Sequence, residues 1–325
     1  MKRLTARTFM LAAVAVLSIG TAPTNFAQAN DKLTVGKASP TSSPMLPVDV
    51  GVATGIFAKH GLDVTIQNFG GGGKMHQAAA AGAIDIGVGA GPELALIAKG
   101  SPEIAIANVV GPPTFLGVAV PADSKAKSLK DLKGKKIAVS SNGSFTYWLA
   151  QQLAKKEGWG ENDITIVANG SEPATVVAAF RTHNVDADII PTSLTFQMED
   201  KNEGKLLAPV SSYMGNTSAG TLFATTKIIQ SNPDAVKRFL AGWFDTIDFM
   251  RKNKAETVKI GMGMTGFTEA VQTKEYDLTI GMYSRDGKFD PETLKNLQES
   301  FTDLKLVDSP PDMSKLYTEA YLPQK

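Results

Sequence analysis

Hydroxyl and glycine residues gather in this sequence directly after short β-like runs, where they could grip a polar ligand. In an open α/β sheet, ligands bind beyond the carboxyl ends of the strands, at helix starts whose unpaired N–H groups carry partial positive charge. Ser42, Ser43 and Pro44 form the first such place, Gly70 to Gly73 with Lys74 the second, and Gly89, Ala90 and Gly91 the third. Later come Ser141, Asn142, Gly143, Ser144 and Thr146, then Thr192 and Ser193, then Thr217 and Ser218. The stretch from Ser141 to Thr146 is the richest, because hydroxyls and a glycine at the mouth of the helix running to Glu157 let backbone and side chains converge on one oxyanion. Ser141 or Asn142 has a second reading as a plain helix cap. The expected ligand contacts are therefore Ser42, Ser43, Gly89, Ala90, Gly91, Ser141, Asn142, Ser144, Thr146, Thr192, Ser193 and Thr217. Phe115, Phe145 and Tyr147 lie near these loops and are placed to cover a planar ligand or to pack in the core.

What these loops lack narrows the chemistry further. Beyond the first 29 residues the arginines are Arg181, Arg238, Arg251 and Arg285, none in a candidate loop, so a bidentate clamp on a carboxylate is not expected. The ligand is then a sulfonate, nitrate-like or carboxylate ion held by N–H and hydroxyl groups, or a neutral polar ring, with the balance towards a small organic anion. The chain has no cysteine, which excludes disulfides, thiolate metal sites and a cysteine nucleophile. His60, His76 and His183 show neither the spacing nor the partners of a metal site or triad and read as surface residues near helix ends. Gly261-Met262-Gly263-Met264-Thr265-Gly266 satisfies G-x-G-x-x-G, but a helical run precedes it and no βαβ unit follows. Gly70 to Lys74 fails as a phosphate loop, since Asn68 replaces the first glycine and Met75 the Ser or Thr. Ser124-Lys125-Ala126-Lys127 lacks the companion motifs of a penicillin-interacting enzyme. No catalytic residue, metal or cofactor is assigned.

The elements that must position these loops alternate β-like and amphipathic helical runs from Leu33 onward, which predicts an α/β fold with mainly parallel sheets. Two segments repeat one order. Leu33-Thr34-Val35-Gly36, a helix ending at Gly61, Asp63 to Ile66 and Ala83 to Ile86 match Lys136 to Val139, a helix ending at Gly158, Asp163 to Ile166 and Val185 to Ile190. Two similar doubly wound lobes follow from this, with Gly117 to Pro121 and Gly220 to Thr225 as extended crossings. The expected division is a signal peptide at 1–29, lobe 1 at 30–118 and 221–325, and lobe 2 at 119–220. In the returning part, Asn232 as N-cap and Pro233 at the first helical position open a helix whose stripe of Val236, Phe239, Leu240, Trp243, Ile247 and Met250 packs on a core. Pro291 to Leu304 and Pro311 to Ala320 read as two further surface helices.

Lys2, Arg3 and Arg7 precede an apolar run from Phe9 to Ile19, and Ala27-Gln28-Ala29 has the form of a cleavage site, so export through a cleaved signal peptide is expected. Without a cysteine at that point a lipid anchor has nowhere to attach, which makes a free periplasmic protein of a Gram-negative cell the expectation. Charge is balanced, with 33 Lys and Arg against 32 Asp and Glu, so no general attraction to nucleic acid or anionic membrane is indicated.

Four stretches in order carry a family likeness: Gly55-Ile56-Phe57 with Gly61-Leu62-Asp63-Val64, Ala81 to Gly87, Ser128 to Lys136, and Asn232-Pro233-Asp234-Ala235-Val236. Through them the chain resembles the periplasmic binding proteins of nitrate, sulfonate, taurine and bicarbonate importers, and their relatives that bind the pyrimidine precursor of thiamine. The resemblance implies two doubly wound lobes joined by two crossover strands in the manner of type II periplasmic binding proteins. It also implies a small-molecule ligand in the cleft, ABC permease subunits as partners and a monomer as the working form. An enzyme on the same scaffold is the alternative reading, because a few relatives convert rather than carry their ligands.

Overall fold

The computed structural model describes residue 1, residues 30–160 and residues 162–324, so the signal-peptide reading of 1–29 lies outside the described residues apart from Met1. The first lobe begins with β1 (Asp31–Lys37), α1 (Leu46–Ala53), α2 (Ile56–Lys59), β2 (Leu62–Asn68), α3 (Gly72–Ala80), β3 (Ile86–Gly89), α4 (Leu94–Ala98) and β4 (Glu103–Val110). The second holds β5 (Leu116–Pro121), β6 (Lys136–Val139), α5 (Phe145–Lys156), β7 (Thr165–Ala168), α6 (Pro173–Arg181), β8 (Ala187–Pro191), α7 (Thr192–Asp200) and β9 (Gly204–Pro209). The chain then returns through β10 (Gly220–Thr225), α8 (Thr226–Ser231), α9 (Pro233–Lys252), α10 (Lys254–Thr265), α11 (Glu269–Thr279) and α12 (Pro291–Asp303).

Two five-stranded sheets result, in the orders β2-β1-β3-β10-β4 and β7-β6-β8-β5-β9. The orders are the same arrangement twice: β2, β1 and β3 run parallel, as do β7, β6 and β8, and β10 and β5 are the antiparallel members beside them. Every residue of β3, β10, β5 and β8 is buried, which helices on both faces of a sheet require of its central strands. Exposed positions appear in the edge strands β2 and β7.

The expected division after residue 118 falls inside β5, all of which pairs in the second sheet, and Gly220 already belongs to β10 in the first. Strand pairing puts the passages between sheets at 111–115 and 213–219 instead, side by side, with the Thr217 and Ala219 N–H groups both donating to the Gly111 carbonyl. Extended β-rich sequence does not distinguish a bridge from a sheet member, because both have the same local backbone.

Helix α9 starts as its sequence dictates. Asn232 accepts from the Ala235 N–H, Pro233 occupies the first position, and the stripe from Val236 to Met250 is wholly buried. Gly261 to Thr265 lies inside α10 and Gly266 ends it in the left-handed conformation, which disposes of the dinucleotide motif. Residues 311–320 form only a single tight turn at Met313–Lys315, then Tyr317 pairs with Ala105 at the sheet edge, so the expected second terminal helix is absent. Pro311 and the short spacing of polar residues leave too few apolar positions to hold a helix there. Among the described residues no helix is long and apolar enough to cross a membrane.

Candidate functional site

A cavity of about 60 Å³ opens between the two sheets, lined by residues at or just past the carboxyl ends of β1, β3, β6, β7 and β8. That volume has room for about four to six water-sized groups. Met45, Phe115, Leu116, Phe145, Ile189 and Ile190 supply apolar walls from both lobes, and the polar groups sit in two opposed clusters.

The first cluster is the start of α5. Ser144 caps this helix by accepting from the Tyr147 N–H at 3.2 Å. Its hydroxyl lies 3.0 Å from Ser140 Oγ and 3.1 Å from Thr146 Oγ1, while Ser140 donates its backbone N–H to Thr146 Oγ1 at 2.9 Å. Three hydroxyls thus close a triangle at the mouth of a twelve-residue helix, on the cavity wall. The first N–H groups of α5, from Phe145 onward, have no intrahelical acceptor and add partial positive charge. This arrangement accepts an oxyanion or another strongly polar acceptor group.

The second cluster is charged. Glu93 is 1% exposed and lines the cavity, with Oε2 accepting from the Ala90 N–H at 3.2 Å and from His76 Nε2 at 2.9 Å. The other ring nitrogen of His76 meets Glu103 Oε2 at 2.8 Å, and Glu103 also accepts from Ser101. Burial works against the imidazolium, but the hydrogen bonds to Glu103 and Glu93 outweigh it and carry the His76 pKa up to about 9. His76 therefore holds Glu93 in place as a protonated bridge. The carboxylate occupies space that side chains on Gly72 and Gly89 would fill, since a Cβ on either residue would overlap a Glu93 oxygen. Lys37, the one wholly buried lysine among the described residues, is bound to Asp49 at 2.7 Å and lies off the cavity wall.

The lobes meet along a seam at the cavity rim. Gly71, at φ 132°, presses on Ser141, and a Cβ on Gly73 would lie 2.5 Å from the Asn142 carbonyl oxygen. Gly70 faces Gly170 and Ser171 more loosely, with room for a Cβ at about 3.9 Å from either. The glycine run is thus the place where α3 of one lobe can approach the loops of the other without side chains between them. Polar links cross elsewhere too, among them the Lys155–Asp303 ion pair between α5 and α12. Thr192 donates to Glu275 at 2.7 Å while Ser43 donates to the same carboxylate, Ser193 reaches the Thr41 carbonyl at 3.5 Å, and Trp148 Nε1 donates to Ser300 at 3.1 Å. Burial raises the Glu275 pKa to about 6 against the opposing pull of the two hydroxyls.

Of the residues expected to contact ligand, Ser42, Gly89, Ala90, Ser144 and Thr146 lie on the cavity wall. Ser43, Thr192 and Ser193 are instead engaged in the links between lobes, and Gly91 accommodates Ser218, donating its N–H to the Ser218 carbonyl at 2.7 Å. Ser141 is buried at the seam, Asn142 is exposed outside the cavity, and Thr217 is buried on the second passage between lobes, with its N–H on Gly111. Sequence reasoning missed Glu93, Ser140, Ser171 and His76. The expectation of His76 as a surface residue is corrected by the Glu93–His76–Glu103 cluster, whose histidine is 3% exposed. A signal was present: Glu93 is the sole charge between Ile86 and Ala98.

A family profile described as NMT1/THI5 like matches residues 44–257. A Brucella abortus (strain 2308) protein, provisionally named a binding protein, is 33% identical over 208 residues, which is 63% of this chain and 63% of its own. The chain thus spans about 63% of the length of the curated relatives it matches. A solved structure from Bordetella bronchiseptica RB50 superposes with a TM-score of 0.77 at 25% identity, covering 90% of this chain and 96% of that one. The alkanesulfonate-binding protein SsuA from Xanthomonas axonopodis pv. citri, bound to MOPS, does so with 0.75 at 20% identity, covering 90% and 99%. At 20% identity the second likeness is one of fold.

Proposed function

The chain belongs to the NMT1/THI5-like family, and from that premise we propose that it is the binding component of an ATP-driven importer, capturing a small polar organic molecule between its lobes. The observation that carries this reading is the cavity at the seam, walled by strand ends of both lobes and opening on the hydroxyl triangle at the start of α5. A ligand there touches both lobes at once, so it stabilises their contact and presents a joined surface to the permease subunits. The start of α5 suits a sulfonate or a similar oxyanion, in keeping with the sulfonate-binding protein of the same fold. Ser42, Ser140, Ser144 and Thr146 are the proposed hydroxyl contacts, with Gly89 and Ala90 beside them. The protein works in the periplasm as a monomer, delivered by cleavage of the segment before residue 30, and carries its ligand unchanged.

A thermal-shift panel on the purified protein tests this, with alkanesulfonates, taurine, nitrate, bicarbonate, carboxylates and pyrimidines. A true ligand at about 100 times its Kd adds about 2.7 kcal/mol of stability. No shift with any compound, together with chemical consumption of one, would replace the carrier by an enzyme.

A further inference from the structure

The tripeptide Asn-Gly-Ser occurs twice in lobe 2, at Asn142-Gly143-Ser144 and Asn169-Gly170-Ser171, just past the paired strands β6 and β7. An asparagine followed by glycine is open to attack on its own side chain, because no Cβ shields the next backbone nitrogen. That nitrogen gives up its proton to water or hydroxide and bonds to Asn Cγ, the bond from Cγ to the amide nitrogen breaks, and ammonia leaves. Water then opens the cyclic imide. Opening at Cγ gives aspartate; opening at the main-chain carbonyl gives isoaspartate, in which the chain runs through Cβ and Cγ and the former carbonyl carbon carries a free carboxylate. Local sequence makes the two sites equivalent, and the fold separates them. The Asn169 N–H donates to the Val139 carbonyl at 2.9 Å and the Gly170 N–H to the Ser140 carbonyl at 3.1 Å, so the attacking nitrogen is already engaged there. The Asn169 side-chain nitrogen is buried beside Asp188. Asn142 is exposed, at the rim of a groove of about 890 Å³ between α5 and the end of α12, and the Gly143 N–H has no hydrogen-bond partner among the described residues.

The exposed site lies where a change of backbone matters. The Asn142 carbonyl oxygen is the atom that Gly73 of α3 faces across the seam, where a Cβ would come within 2.5 Å. The turn around it, closed by the Ser144 N–H on the Ser141 carbonyl at 3.2 Å, sets Ser144 in place to cap α5. We propose that Asn142 is a spontaneous modification site of the folded protein, that the fold protects Asn169, and that isoaspartate at 142 loosens the start of α5. The extra backbone carbon lengthens the turn before the cap, and a carboxylate replaces a carbonyl against α3, where the close packing leaves room for neither.

The test is peptide mapping by mass spectrometry after the whole protein is held in warm, mildly alkaline buffer, with isoaspartate identified by labelling with an isoaspartyl methyltransferase. Conversion at Asn142 is expected to run about tenfold or more ahead of Asn169, which must first free a buried, hydrogen-bonded N–H. In the same protein unfolded in urea the two sites are expected to convert at rates within about threefold of each other, since the fold no longer distinguishes them. Hydrogen exchange of the aged protein reads the consequence. The Tyr147 and Trp148 N–H groups, which donate to the Ser144 hydroxyl and carbonyl, are expected to exchange about fivefold faster than in fresh protein, as for the loss of a helix cap. Asn142→Gln keeps an exposed amide whose longer side chain closes the ring far more slowly, and after the same ageing it should show neither change. A melting curve checks that this variant folds; if it does not, fresh and aged parent protein decide alone. Conversion of Asn169 as fast as Asn142 in the folded protein overturns the inference. So does conversion at Asn142 that leaves exchange at the start of α5 unchanged, or equal loosening in aged Asn142→Gln.

Discussion

Gly73→Ala separates closure of the lobes from stability of the fold. Gly73 is the second residue of α3, and an added Cβ would lie 2.5 Å from the Asn142 carbonyl oxygen and 3.2 Å from Ser141 Oγ, both on the other lobe. The first distance is roughly 1 Å short of a comfortable contact, so the seam must widen by about that much. Overpacking of this kind costs about 1–3 kcal/mol, and here the cost falls only on the form in which the lobes touch. Ligand affinity is therefore expected to drop about 5- to 150-fold. Within a lobe the same change replaces glycine by a better helix former, a gain of up to about 1 kcal/mol, so the ligand-free melting temperature should hold or rise slightly. Titration calorimetry with the best compound of the panel, beside a melting curve without ligand, reads the two effects separately. Unchanged affinity would refute the seam as a closing contact, and a collapsed melting temperature would show that the glycine serves the fold of its own lobe.

Thr192→Ala removes the hydroxyl that lobe 2 offers to Glu275, while Ser43 still serves the carboxylate from lobe 1. Affinity is expected to fall by about tenfold or more with little change in the ligand-free melting temperature, as for a lost hydrogen bond to a charged group; a fall in melting temperature with no change in affinity would make the link structural. Asp188 is buried on β8 without a well-formed hydrogen bond to either oxygen, and burial lifts its pKa to about 7 against the weaker opposing pull of the Asn169 side chain and the Ile189 N–H. The folded state thus holds its proton more tightly than the unfolded chain, so stability falls as pH rises from about 4 to about 7 and stays lower above that, by on the order of 4 kcal/mol. Asp188→Asn should flatten this slope and melt higher than the parent at pH 8 but not at pH 3, and parallel pH profiles for the two proteins would refute it.

The sequence by itself determined the local architecture. Asn232-Pro233 fixed the start of α9, its apolar stripe fixed the buried face, and the repeated order of strands and helices foretold two sheets of one topology, because caps and periodicity act within a few residues of where they are written. Of the loop residues expected to contact ligand, Ser42, Gly89, Ala90, Ser144 and Thr146 come together on one cavity wall. Whether β5 bridges or pairs was not legible, nor was the seam at Gly70 to Gly73, since both depend on how elements distant in sequence meet. The same holds for Glu93. Its carboxylate points into the cavity because Gly72 of another helix leaves room and His76 and Glu103, distant in sequence, hold it there. Only the tertiary structure decided that the cavity carries a negative charge, because a side chain's electrostatic surroundings are set by groups that packing, not sequence order, brings within a few ångströms.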